Sequence, residues 1–275
     1  MYATFKPLLA ALSVMAGAAL IATITLFGDG ATSEAQPAGE RPTVVLVHGA
    51  WADTSSWDGE VKALRAQGYP VRAISNPLRG LTADAAEVAA FLRTVDGPVV
   101  LVGHSYGGAV ITEAAADSPN VRALVYVDAA APDVGETNGS LSGDDSVLNR
   151  LPEDQLFDKV PAPGGATDLY LRQDVFVRDF ANDLPADQAT ELWATQRTAA
   201  TAAFDTPATK AAWRTIPSWY FISSGDRIIT PKAEHAMAQR AGSHVTEYPG
   251  GSHLTLISHP DAVTAVIDSA LNAVA

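Results

Sequence analysis

The sequence has no cysteine. That absence excludes disulfides, a thiol nucleophile, cysteine-ligated metal and a lipidated N-terminal cysteine. Basic residues are scarce too: 18 Lys and Arg stand against 31 Asp and Glu, for a formal charge of −13. A surface of that sign is repelled by nucleic acid and by anionic membranes, so neither is expected as a partner. No His-Glu-x-x-His stretch occurs, which argues against a zinc hydrolase. At 275 residues the chain is long enough for one large core with an accessory lobe, and no internal repeat divides it.

One long apolar run covers residues 7–27; Lys6 precedes it and a stretch holding Gly, Ser, Glu and Pro follows. With the small-x-small site Ser33-Glu34-Ala35, this predicts a secretory signal peptide over residues 1–35, cleaved near Ala35. A bilayer core is spanned by about 20 residues, so an uncleaved anchor over 7–27 is the alternative, and only then is a membrane a partner. Residues 36–42 read as a linker and 43–275 as the folded domain.

From Thr43 onward, short apolar runs alternate with helical periodicity. Strands are expected at 43–47, 71–75, 98–102, 121–127, 218–222 and 245–248. Helices are expected at 57–67 behind a Ser56 cap, at 82–93 behind Thr82, and at 108–117, 231–241 and 260–275. This alternation predicts an α/β fold: a mostly parallel six-stranded sheet, right-handed crossovers and helices on both faces. The alternation stops over residues 132–215, which are rich in Pro, Asp and Ala and hold one clear helix, 185–198. A connection that long is rarely plain loop, so an inserted cap is expected between the fourth and fifth strands.

Gly103-His104-Ser105-Tyr106-Gly107 lies between the third strand and its helix. A serine forced into that turn has its hydroxyl lifted clear of the backbone, and the flanking glycines make room for the turn. In this strand-turn-helix context the chain resembles the α/β-hydrolase superfamily. A serine nucleophile needs a base and an acid to orient it. In a parallel sheet the loops at the carboxyl ends of the strands converge on one edge. His253, after the last strand, is the candidate base on that edge. Asp226, after the fifth strand in Ser223-Ser224-Gly225-Asp226-Arg227, is the candidate acid and is similar to the family's acid loop; its rival is Asp128, at the end of the fourth. His48, His104, His235, His244 and His259 are set aside, His48 as a brace for its glycine turn.

The stretch His48-Gly49-Ala50-Trp51 resembles the family's oxyanion loop. The resemblance implies amide donors at Ala50, with Trp51 the off-by-one alternative, and at Tyr106. Small members akin to plant hydroxynitrile lyases and methylesterases look closest, since they share His-Gly-x-Trp. The lyases carry a lysine where this chain has Leu254, and dehalogenases and epoxide hydrolases carry an aspartate where it has Ser105. The expected activity is therefore that of an exported serine hydrolase cleaving carboxylic esters of small molecules through an acyl-enzyme on Ser105, with no cofactor and no metal. A lyase, a cofactor-free perhydrolase or a ligand-binding protein on the same fold is the alternative. Trp51 and Trp193 are the expected substrate-lining residues, with Phe157, Tyr170, Phe176, Phe180 and Phe204 as further aromatic candidates.

Overall fold

The computed structural model describes residues 41–274; the expected signal peptide or anchor lies outside the described residues. Six strands form the central sheet: β1 (Thr43–Val47), β2 (Val71–Ile74), β3 (Val99–His104), β4 (Val121–Val127), β8 (Ser218–Ser223) and β9 (His244–Tyr248). Their order is β2-β1-β3-β4-β8-β9, and every pairing is parallel. All six residues of β3 are buried, as befits a strand covered on both faces, whereas edge strand β9 is largely exposed.

That order fixes where the helices go. The chain steps outward from β1 to β2 and then back past β1 to β3, so successive right-handed crossovers land on opposite faces. Helix α1 (Asp58–Ala66) accordingly packs with the C-terminal helix Pro260–Val274, while α2 (Leu81–Leu92) packs with α3 (Tyr106–Ala114). The strand order reverses between β1 and β3, and the crevice at such a switch point is where an open parallel sheet binds its ligands. The loop after β1 and the elbow after β3 meet there.

Between β4 and β8 the chain builds the expected insertion, with more order than its sequence displays. A three-stranded antiparallel sheet joins β5 (Phe157–Pro161), β6 (Thr167–Leu171) and β7 (Ala199–Ala200). Its longest helix is Ala186–Ala194, four residues shorter at the C-terminal end than the periodicity suggested. Two expected caps are also corrected. Asp53, not Ser56, caps the turn leading into α1, accepting the Ser55 amide at 2.8 Å, and Ser56 is buried. At α2 the cap position is Gly80, and the carboxylate of Asp84 rather than the hydroxyl of Thr82 takes up the amides at the helix start.

Candidate active site

Ser105 sits between β3 and α3 at φ 53°, ψ −125°, a conformation that costs a non-glycine residue of order 1–3 kcal/mol. The turn is possible because glycine stands two residues before and two residues after the serine. A Cβ on Gly107 would lie 2.4 Å from the Val47 carbonyl oxygen, and one on Gly103 would lie 2.5 Å from the carbonyl oxygen of Gly107 itself. Strain is not confined to Ser105. Among the described residues, the non-glycine residues with positive φ are Trp51, Leu78, Ser105 and Asp128, which follow β1, β2, β3 and β4 in turn. Backbone strain is thus concentrated along the carboxyl edge of the sheet.

On that edge Ser105, His253 and Asp226 form a hydrogen-bonded chain. Ser105 Oγ lies 2.7 Å from His253 Nε2, and His253 Nδ1 lies 2.6 Å from Asp226 Oδ2. The other carboxylate oxygen, Oδ1, accepts the amides of Ile228 at 2.7 Å and Ile229 at 3.2 Å. Burial lowers His253 to about 3, so the resting imidazole is a neutral base. Burial raises the Asp226 carboxyl above its usual range, against the pull of those two amides. A fourth residue supports the chain from below: His104 Nε2 donates to the His253 carbonyl at 2.7 Å, and its buried ring lies 4.8 Å from the His253 ring. Nothing in the sequence marked that role, because the letter before the serine carries no chemistry in the elbow itself.

Asp128, the rival acid, points elsewhere. Its Oδ1 accepts the Ser223 amide at 2.7 Å, and its Oδ2 lies 2.9 Å from Ser223 Oγ. Burial, and then the charge of Asp226, raises it well above the usual carboxylate range. Glu234, also buried, has oxygens within 4.8 Å of those of both aspartates and is raised by burial and then by Asp128 and Asp226. These three are the cluster among the described residues that could hold a cation. The aspartate oxygens are already engaged, and burial with the repulsion of a charged Asp226 favours bound protons on Asp128 and Glu234 instead of a cation.

The loop after β1 is held by its histidine. His48 Nε2 accepts the Asn76 amide at 3.0 Å, while Asn76 Nδ2 donates to the His48 carbonyl at 3.1 Å. Burial lowers His48 to about 4, which keeps Nε2 available as an acceptor. Neither the Ala50 nor the Tyr106 amide donates a backbone hydrogen bond among the described residues. Trp51 stacks against Phe157 at 5.5 Å and Phe204 at 5.3 Å, and Phe180 meets both Trp51 and the His253 ring edge-on. A cavity of about 300 Å³ opens beside this group, lined by Trp51, Phe157 and Phe204 on the aromatic side and by polar residues that include Asn149, Glu153 and Asp205. Phe176 is buried next to Phe180, and Tyr170 is exposed on β6. Trp193 is not part of this wall. Its indole N–H donates to the Leu171 carbonyl at 2.9 Å, and its ring lines a separate groove with Asp158, Arg172 and Thr190.

A model of the alpha/beta hydrolase family matches residues 44–266. The chain is 29% identical over 255 residues to the alpha/beta hydrolase nvfD of Aspergillus novofumigatus, covering 84% of this chain and 96% of that one. Over a shorter stretch of 106 residues it is 37% identical to a carbendazim hydrolyzing esterase of Nocardioides sp., spanning 34% of this chain and 44% of the relative. Its backbone superposes with a TM-score of 0.70 on an extracellular alpha/beta-hydrolase from a Paenibacillus species, described as sharing structural and functional homology with tobacco salicylic acid binding protein 2. That pair is 24% identical, with 83% of this chain and 98% of the other covered. Because the family match runs from β1 into the last helix, over the span that carries the elbow, both loops and the insertion, the chain belongs to the alpha/beta hydrolase family, as a hydrolase with esterases among its relatives.

Proposed function

We propose that the chain is an exported serine esterase that cleaves small carboxylic esters through an acyl-enzyme on Ser105. The observation that carries this reading is the unbroken hydrogen-bonded chain from Ser105 through His253 to Asp226, at 2.7 Å and 2.6 Å. With Nδ1–H donated to Asp226, the imidazole presents Nε2 as an acceptor for the Ser105 proton. Oγ attacks the ester carbonyl, and His253 takes the proton as the new C–O bond forms. The carbonyl oxygen, now negative, is met by the amides of Ala50 and Tyr106, the latter at the positive end of α3. The tetrahedral intermediate collapses by breaking the bond to the alkoxy group, which leaves as the alcohol with the proton from His253. Water, deprotonated by His253, then attacks the acyl-enzyme; the bond to Oγ breaks, Oγ takes the proton back from His253, and the acid is released.

The cavity beside Trp51, lined by Phe157 and Phe204 as well as by polar Asn149, Glu153 and Asp205, supports an acyl or alcohol group of modest size, and the esterase among the relatives supports an ester as the scissile bond. The apolar run at 7–27 and the Ser33-Glu34-Ala35 site support export, as does the extracellular description of the Paenibacillus hydrolase. The test is a panel of p-nitrophenyl esters of increasing chain length, run on the wild type and on Ser105→Ala. Cleavage by the wild type, with a loss of at least about a thousandfold in the variant, is expected. A panel left uncleaved, or cleaved equally well by the variant, would sink the reading in favour of a lyase or a binding protein. N-terminal sequencing of the exported product should begin just after Ala35; a product retaining residues 7–27 in the membrane would make that segment an anchor.

A further inference from the structure

The two amides assigned to the oxyanion are each tied, by different routes, to one strand of the cap: the Ala50 amide through its neighbour Trp51 and the Tyr106 amide through its own side chain. On the first route, Trp51 donates its indole N–H to the Leu169 carbonyl on β6 at 3.0 Å. Trp51 is buried and carries the strained backbone that follows β1, so this bond fixes the loop bearing the Ala50 amide. On the second route, the Tyr106 hydroxyl donates to Asp84 Oδ2 at 2.7 Å, deep beneath the elbow. The fully buried carboxylate of Asp84 also takes the Arg79 amide at 3.0 Å and the Gly80 amide at 3.3 Å, which closes the loop after β2 upon it. From that loop the Arg79 guanidinium reaches Asp168 on β6 at 2.6 Å, and the Leu78 carbonyl accepts the Ala200 amide of β7 at 2.9 Å. Asp168 and Leu169 are consecutive residues, paired with Ala200 and Ala199 on β7. Phe204 closes the circuit, stacked on Trp51 and 6.2 Å from the Tyr106 ring.

We infer that Trp51, Asp84 and the Tyr106 hydroxyl are positioning residues for the oxyanion hole, and that β6 of the cap, through Asp168 and Leu169, is the anchor they share. The inference rests on the reading of Ser105 as an acyl-transfer nucleophile. Its physical basis is that amide donors act on an oxygen that becomes anionic only in the transition state, so a displacement of either donor weakens turnover and not substrate binding. A cap that merely covered the site would have no reason to be tied to both donor-bearing loops through buried side chains. The cap strand that walls the pocket thereby also sets the spacing of the two donors across the switch point between β1 and β3.

The test uses the full chain and three single substitutions, Trp51→Phe, Tyr106→Phe and Asp168→Asn, with kcat and KM measured on p-nitrophenyl acetate. The affinity of an alkyl trifluoromethyl ketone is measured alongside: Ser105 adds to its carbonyl, and the resulting hemiketal oxygen occupies the hole. For Trp51→Phe and Tyr106→Phe, kcat and ketone affinity should each fall about tenfold while KM stays within about threefold, because donors are displaced rather than removed. Asp168→Asn, remote from the nucleophile and only partly buried, should lower kcat about threefold with the same signature. The double variant Trp51→Phe/Tyr106→Phe should lose less than the product of the single losses, since both bonds serve one anchor. Unchanged kcat in Tyr106→Phe and Asp168→Asn, or a rise in KM with kcat and ketone affinity preserved, would overturn the inference and leave these residues as packing or pocket lining. If Ser105→Ala cleaves as well as the wild type, the underlying esterase reading fails instead, and the two failures are distinguished by that one control.

Discussion

Neighbouring strands β4 and β8 each end near a buried aspartate, and the two side chains have been given opposite surroundings. Asp226 receives three N–H groups, from His253, Ile228 and Ile229, all suited to a carboxylate. Asp128 faces Ser223, whose hydroxyl stands 2.9 Å from its Oδ2 and 2.7 Å from Thr255 Oγ1. Thr255 gives its own hydroxyl proton to the Ser252 carbonyl at 2.7 Å. Ser223 thus has one proton for two oxygen contacts, and a protonated Asp128 supplies the second. Its neighbour's charge pushes Asp128 in the same direction. The difference teaches that in a dry pair of carboxyls the donors around each decide which one carries the charge, and that the charge goes to the member facing the imidazole.

Substitution by asparagine separates the two. Asp226→Asn loses the acceptor that fixes the imidazole tautomer and is expected to lower kcat by about a thousandfold or more, read as turnover of p-nitrophenyl acetate. Asp128→Asn keeps an oxygen for the Ser223 amide and offers an N–H to Ser223 Oγ, as the neutral acid does. Its turnover should stay within about threefold of wild type. The reverse pattern would exchange the roles of the two residues. Asp128→Ala sharpens the contrast, since it strands the Ser223 amide in the interior, while the hydroxyl keeps only Thr255 Oγ1. A loss of about 1–3 kcal/mol in denaturant unfolding is expected, with turnover per folded molecule largely retained.

The same contrast shows what sequence could and could not carry. Asp226 was legible because a strand and a Ser-Gly-Asp turn announce a loop on the carboxyl edge, and His253 because only it follows a strand on that edge in the right chain order. The elbow was legible from its glycines, whose necessity the 2.4 Å and 2.5 Å approaches make concrete. Asp84 and His104 were not, since their partners, Tyr106 and the His253 carbonyl, lie 22 and 149 residues away and local pattern holds no trace of them. The cap sheet was hidden for a related reason. β5 is mostly exposed and does not alternate, and β7 is only two residues long, so neither offers a period to detect. Tertiary pairing with β6 makes them strands, and that pairing is where the side chains of Trp51 and Arg79 end.

A buried carboxyl on α1, outside the catalytic chain, provides the reference for this comparison. Glu60 on α1 is buried, and desolvation first, with Asp261 and Asp58 after it, raises its carboxyl to about 9. The sign follows from linkage: below the unfolded value of 4.5 both states hold the proton, and as pH rises the unfolded chain releases it first. The stability tied to the neutral Glu60 is therefore complete below 4.5 and is lost progressively up to about 9, amounting to about 3 kcal/mol by pH 7. Glu60→Gln keeps the shape and removes the titration, so unfolding followed from pH 5 to 9 should show a flatter fall in stability, with turnover unchanged. The acid side should not respond, because it belongs to other groups. His48, at about 4, and His253, at about 3, are buried neutral, so the unfolded chain gains their protons first as pH falls through 6.5, and stability drops there in wild type and variant alike. If Glu60→Gln changed turnover or the acid limb instead, burial alone would not explain its raised carboxyl, and the proton assigned to Asp128 on the same physical grounds would lose its support.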